Sequence, residues 1–462
     1  MLPVEMAPHS LQNAASARAV RVTALPTNSQ TFGSGSMIRI QVPRRPRSYL
    51  IPSGTFLRFD VAIANGASNA QATYANASGT PFATAFTFDG HASAAISQLA
   101  TYHNSTQLEV ILGYNRLYNI LLESQTNREQ KNGIGQFAIS GGANDSRAAA
   151  NIVAAPGVLM TPGTTSAPAV YTFCIPLISS LFGAGQTGNK YIPLDRLNSD
   201  LILELTLDSF TNAFKVWYKQ TDTNSAWTTA VPTNQTSAAS TISIQNVQLV
   251  GQLVELDSDA QAQYNSIHRG GEIELAVTQY RSYVSSLSAP LSAASVLVPA
   301  RFQSLTSLTW AFYDNANIGD LSAGAISWRN RANLSTVTYR VGSLQYPPRP
   351  IDCGGTSAEI FMELEKSLRS VSATNGMVAF TRDEYVADTG AGAFVGMQEL
   401  SVFPFAQGTT AAGVNTLAQN MFIDFVFNSS GLPSSKTYNV WAFAQYDAKL
   451  LIDETGSLRV IY

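Results

Sequence analysis

Histidine, cysteine and charge are scarce in this 462-residue chain, and each scarcity excludes a class of function. The four histidines, His9, His91, His103 and His268, include no two spaced for one helix face or one strand face, as zinc ligands would be. No metal site and no cofactor are expected. Cys174 and Cys353 are the only cysteines and sit in different halves, so a disulfide framework is excluded and buried thiols are expected. Charged residues make up 13% and the net charge is −3, so no global field draws nucleic acid to the folded body. The first residues, MLPVEMAPHSLQ, lack the basic start and apolar centre of a signal peptide, and no run of about 18 apolar residues occurs. Synthesis in the cytosol and no membrane span are expected, which leaves the sequons at Asn104, Asn333 and Asn428 as chance matches.

Catalytic signatures are missing too. GAGQTGNK at 183–190 ends in Asn-Lys rather than the Gly-Lys-Ser/Thr of a phosphate loop, and no G-x-S-x-G elbow occurs. The absence of histidine after His268 argues against a bicupin enzyme, which needs clustered His and Glu in both halves. The acidic pairs Asp257 with Asp259 and Asp383 with Glu384 read as turn or surface residues. No catalytic, cofactor-binding or metal residue is assigned, and the chain reads as a non-enzyme.

What the sequence does hold is 45% apolar residues, with Ser, Thr, Asn, Gln, Gly and Ala in the place of Lys and Glu. That balance favours strands and polar loops over helices. Residues up to 36, with TNSQTFGSGS, show little periodicity and read as an arm. From Met37, IRIQV and LRFDVAIAN alternate apolar and polar residues as half-buried strands do. One interruption is helical: Leu108, Ile111, Leu112, Tyr118 and Leu122 follow the capping box Thr106-Gln-Leu-Glu109, up to Asn132-Gly133. A second begins at the box Thr356-Ser-Ala-Glu359, carries Ile360, Phe361, Leu364, Leu368 and Val371, and closes on Asn375-Gly376.

Other landmarks keep the same order around both helices, which argues for tandem homologous domains. Leu50-Ile51-Pro52 before FLRFDVAIAN answers Leu297-Val298-Pro299 before LTSLTWAFYDN. YTFCIPL around Pro176 answers LSVFPF around Pro404, LILELTLDS answers MFIDFVFNS, and VGQLVELD answers YDAKLLID. Long polar loops are expected at 64–100, 140–168 and 219–240. The expected fold is all-β: two tandem eight-stranded jelly-roll β-sandwich domains, each with one excursion helix. The expected boundaries are an arm at 1–36, a first roll at 37–257, a linker at 258–271 within DSDAQAQYNSIHRGG, and a second roll at 272–462.

Two local features have competing readings. In VPRRPRSYL the prolines are expected to hold the backbone extended, with Arg44, Arg45 and Arg47 solvated. A charged edge that discourages strand pairing is favoured there over nucleic-acid contact. The aromatics Trp217, Tyr218 and Trp227, and Trp310, Phe312 and Tyr313, are read as core and interface packing rather than a sugar platform.

YTFCIPLISSLFGAGQTGNKYIPLDRLNSDLILELTL, at 171–207, resembles the double jelly-roll major capsid proteins of the adenovirus and tectivirus lineage, most closely those of Polinton-like viruses, adintoviruses and virophages. The closing YDAKLLIDETGSLRVIY resembles that family's last strand pair, and the likeness of order covers roughly 37–462. The resemblance implies a virion protein that forms homotrimers with six rolls, pseudo-hexagonal capsomers and an icosahedral shell around double-stranded DNA. Its implied partners are itself, neighbouring capsomers, and penton and minor capsid proteins. The arm would contact a neighbouring subunit, a minor protein or an internal membrane; with no strongly basic tail, direct genome binding is not expected. A carbohydrate-binding double sandwich, or a virion spike or fibre protein, remains the alternative.

Overall fold

The structure is a computed structural model and describes residues 17–65, 74–75, 81–127, 159–183, 191–220, 240–268, 271–368, 378–401 and 413–462. Its N-terminal half contains β1 (Ala17–Ala24), β2 (Thr31–Phe32), β3 (Met37–Val42), β4 (Ser48–Asn65), β5 (Tyr74–Ala75), β6 (Pro81–Phe88), β7 (Ile96–His103), β8 (Thr106–Leu112), β9 (Ala169–Pro176), β10 (Ile192–Pro193), β11 (Leu201–Leu207), β12 (Phe214–Gln220) and β13 (Ser240–Leu256). The C-terminal half contains β14 (Ile273–Ser288), β15 (Ala293–Val298), β16 (Leu305–Asp314), β17 (Leu334–Val341), β18 (Leu344–Asp352), β19 (Gly396–Glu399), β20 (Met421–Phe427), β21 (Thr437–Ile452) and β22 (Leu458–Ile461). The helices are α1 (Tyr114–Gln125), α2 (Phe210–Ala213), α3 (Ser258–His268), α4 (Ala358–Ser367) and α5 (Arg382–Tyr385).

The two halves repeat one topology. The first has sheets β1-β13-β4, flanked by β9 and β10 on β4, and β3-β11-β7-β8; the second has β14-β21-β16-β19 and β15-β20-β17-β18. With the eight principal strands of each half lettered B to I in chain order, both are B-I-D-G against C-H-E-F, all antiparallel, which is the jelly roll. Helices α1 and α4 each follow strand F. The first roll carries an additional sheet, β12-β6-β5, from its D–E and H–I connections.

Period-two patterning builds the sandwiches. In β11, Leu201, Leu203, Leu205 and Leu207 are buried; in β20, Met421, Ile423, Phe425 and Phe427 are buried while Asp424 and Val426 lie on the outer face. Registers agree as well: Leu203 lies between Ile40 and Thr101, and Ile423 between Val296 and Tyr339. Aromatics fill both cores. Phe88 stacks on Phe214 at 4.6 Å and meets Phe173 edge-on, and Trp310 meets Phe425 edge-on at 4.8 Å. Buried indoles find partners, Trp217 Nε1 donating to Thr87 Oγ1 at 2.9 Å and Trp310 Nε1 to the Tyr339 hydroxyl at 2.7 Å. Trp217, Trp310, Phe312 and Tyr313 are therefore core residues and Tyr218 is half-buried; Trp227 lies outside the described residues.

Several local expectations are corrected. Thr106–Leu112 is strand F, paired with β7, because ladder bonds along a whole strand outweigh one capping box. The helix starts at Tyr114, after Gly113 in the left-handed region at φ 61°. Ser357 precedes α4 in the same way at φ 54°, and its hydroxyl donates to the Cys353 carbonyl instead of capping. A capping box does form, at Thr381 and Glu384 before α5. The helix ends proposed at Asn132-Gly133 and Asn375-Gly376 lie outside the described residues, as do His9, Pro404 and the phosphate-loop-like stretch beyond Gly183.

Residues 17–24, read as part of an arm at 1–36, are strand B: β1 pairs with β13 with Val20 opposite Leu253. Its Ala and Arg content hid the alternation. Leu50-Ile51-Pro52 lies inside β4, and the counterpart of Val298-Pro299 after β15 is Val42-Pro43 after β3. The loop expected at 64–100 contains β6 and the start of β7, while much of 140–168 and 219–240 lies outside the described residues. The segment at 257–271 carries helix α3 between the rolls. Cys353 is buried, but Cys174 is only half-buried.

Candidate functional site: the interface between the two rolls

Strand F of the first roll packs against β14 and β22, and Gly113 with the start of helix α1 packs against Trp441 and Tyr313 of the second roll's B-I-D-G sheet. Sheet edge and turn chemistry set the approach. Gly113 must lie against Trp441, since a Cβ at this position would stand 2.5 Å from the indole Cζ3. Beside it the Leu112 amide donates to Ser282 Oγ at 2.9 Å. Gln279, buried on β14, donates from Nε2 to the Leu108 carbonyl at 3.2 Å and to Ser180 Oγ at 3.0 Å, and accepts from the Tyr446 hydroxyl at 2.9 Å. The Arg116 guanidinium lies over the rings of Tyr313, at 5.2 Å, and Trp441, at 5.0 Å.

Two fully buried ion pairs lock the same interface. Arg329, between strands D and E of the second roll, places Nη2 2.7 Å from Glu123 Oε2 of α1 and donates from Nη1 to Asn119 Oδ1. Asp89 of the first roll faces Lys215 at 3.8 Å, accepts from the amides of Ile326 at 2.6 Å and Ser327 at 3.1 Å, and takes the Ser327 hydroxyl. Lys215 Nζ also lies 4.5 Å from the centre of the Trp328 ring. Charges buried like this are stable only when paired and hydrogen-bonded, so each roll supplies what the other's charges require.

A lone carboxyl sits near Gln279. Glu109 on strand F is enclosed, and burial pushes its pKa up to about 7 despite hydrogen bonds from Ser179 Oγ at 2.7 Å and from the Ser180 amide and hydroxyl. His103 sits where the rolls meet at the other end of strand E: its Nδ1 accepts from the Leu458 amide at 3.1 Å, and burial lowers its pKa, which favours the neutral ring that can accept. His91 is buried, and His268 ends α3. These histidines are not brought together, and no group of three or more His, Cys, Asp or Glu among the described residues could hold a metal ion. Asp257 accepts from the Ser258 amide at the start of α3, and Asp383 and Glu384 lie in the first turn of α5, so both acidic pairs serve helix starts.

The arginine cluster forms a turn rather than an extended edge. Arg47 has φ 56°, Arg44 and Arg47 are exposed, and Arg45 is half-buried. The interface residues Asp89, Glu109, Glu123, Lys215 and Arg329 were not singled out from the sequence as a site. The available signal was a lone charge inside an apolar run, as in AFTFDG, TQLEVIL and FKVWY.

No family model matches the sequence, and no curated protein matches it. Solved structures do. The chain superposes on the Faustovirus major capsid protein with TM-score 0.60 and 11% identity, covering 96% of this chain and 92% of that one. PBCV-1 VP54, fitted into a reconstruction of the virophage Sputnik, gives TM-score 0.59 and 13% identity over 98% of both chains. A Sputnik virophage structure gives 0.56 and 14%, covering 100% of this chain and 93% of that one. At such identities the likeness is one of fold, and it runs through both rolls. The chain thus has the double jelly-roll fold seen in major capsid proteins of viruses.

Proposed function

We propose that this chain is the major capsid subunit of an icosahedral double-stranded DNA virus, a structural protein and not an enzyme. The observation that carries the reading is the pair of B-I-D-G/C-H-E-F rolls joined by a buried polar interface, in a fold shared end to end with viral major capsid proteins. A rigid double roll is a suitable tile, because three copies present six similar wedges that can close as a pseudo-hexagon. The working division is a first roll from Ala17 to Asp257, a linker at 258–271 and a second roll at 272–462, with the segment before Ala17 as the arm. Its partners would be further copies of itself and neighbouring capsomers, then penton and minor capsid proteins and, through the arm, an internal membrane. Its place would be the virion shell after synthesis in the host cytosol. Light scattering and electron microscopy of the purified protein test the reading: a stable trimer with a hexagonal outline supports it, whereas a monomer that binds glycans would move the carbohydrate-binding alternative forward.

A further inference from the structure

The proline-bounded arginine turn between strands C and D has no part in the roll interface, yet it is built with care. Three contacts fix its backbone. The Arg44 amide donates to Asp200 Oδ1 at 3.0 Å, the Ser48 hydroxyl to the Pro46 carbonyl at 3.2 Å, and the Leu256 amide to the Arg47 carbonyl at 3.0 Å. Arg47 is held at φ 56°, a region that costs a non-glycine residue free energy and recurs at functional sites. The turn forms one wall of an open cavity of about 600 Å³, whose other walls include Arg18, Glu255 and Asp257. That volume is in the range of small-molecule sites.

The charges in the cavity do not cancel. Glu255 is engaged by Arg18, whose Nε and Nη2 stand 2.7 and 2.6 Å from Oε2, and Asp257 accepts from the Ser258 amide at 2.7 Å. Arg45 and Arg47 also line the cavity, and neither guanidinium has a hydrogen-bond or carboxylate partner among the described residues. Two forked cations on a preset turn, facing a concave polar space where Glu255 is paired with Arg18 and cations outnumber acids, match the tetrahedral oxygens of a phosphate group. Concavity favours a protruding phosphate over the long rod of a duplex, and among the described residues the cavity walls hold no aromatic ring on which a base could stack.

We propose that this cavity is a binding site for a phosphate group, held by Arg45 and Arg47, on a small anion or on a lipid headgroup. The inference stands on the turn alone and does not need the capsid reading. The test is titration calorimetry of the full chain with pyrophosphate, comparing wild type with Arg45→Met/Arg47→Asn. Methionine keeps the apolar stem of Arg45, and asparagine tolerates the left-handed backbone of Arg47. Arg44→Ala, outside the cavity lining, is the control, and circular dichroism with a thermal melt verifies that each variant is folded. Saturable binding that weakens at least about tenfold in the double variant, and stays near wild type in the control, is expected. Flotation with phosphatidylglycerol vesicles then separates the sources. Flotation lost in the double variant identifies a headgroup; pyrophosphate binding without flotation identifies a free anion. No pyrophosphate binding, equal binding by wild type and the double variant, or duplex DNA binding lost in the double variant without pyrophosphate binding, overturns the proposal.

Discussion

Replacing Arg329 by Met should loosen the joint between the rolls while leaving each sandwich intact. Arg329 and Glu123 are fully buried and 2.7 Å apart, and the arginine also serves Asn119 and the Ala393 carbonyl. Taking the cation away leaves a carboxylate in an apolar setting, a change that costs about 3–5 kcal/mol, whereas removing both charges together is far cheaper. If the loss falls on local opening of the joint, amides of α1 should exchange roughly two to four orders of magnitude faster. Amides in the C-H-E-F sheets of both rolls should be little changed. Hydrogen exchange read by mass spectrometry on wild type, Arg329→Met, Glu123→Leu and the double variant completes the cycle. The double variant should recover most of the protection, with a coupling of at least about 2 kcal/mol. Exchange of α1 within about threefold of wild type in Arg329→Met would refute the claim that this pair holds the rolls together.

Other outcomes follow from the same interface. The folded pKa of Glu109, about 7, lies above its unfolded value, so its protonated form contributes stability at acidic pH that is lost as pH rises through 7. The unfolding free energy from urea titrations should therefore fall for wild type between about pH 5 and 8, by up to about 3 kcal/mol for this fully buried group, and the fall should be smaller in Glu109→Gln. Parallel pH profiles for the two proteins would show that Glu109 does not titrate in that window. Gly113→Ala, which places a methyl 2.5 Å from the Trp441 ring at a positive φ, should lower the melting temperature by a cost of about 2 kcal/mol or more. An unchanged melt would mean that strand F does not sit against Trp441.

Much of the fold could be read from alternation. LILELTL and MFIDFVF were matched from sequence and both prove to be strand H, and VGQLVELD and YDAKLLID both lie in strand I. Strand B of the first roll escaped because ARAVRVTA buries only Ala24 and half-buries Val20 and Val22, leaving a weak hydrophobic signal. The first helix start was displaced because a four-residue capping pattern also occurs in strands, where ladder bonds decide, whereas the second pattern does stand at a helix start, Ala358. The Arg329–Glu123 pair of the interface was invisible for a different reason. Arg329 lies in WRNRANL and Glu123 in LLESQ, each polar enough to read as surface, and only the packing of one roll on the other buries them. Sequence separation of partners, not residue type, set that limit.

The central claim is that two rolls in one chain make a tile for a closed shell, and solution mass with particle shape tests it most directly. Light scattering of the purified protein should give about three times 49.5 kDa, with a hexagonal outline by electron microscopy or shells built from such units. A particle that stays at 49.5 kDa at every concentration and never assembles would contradict it.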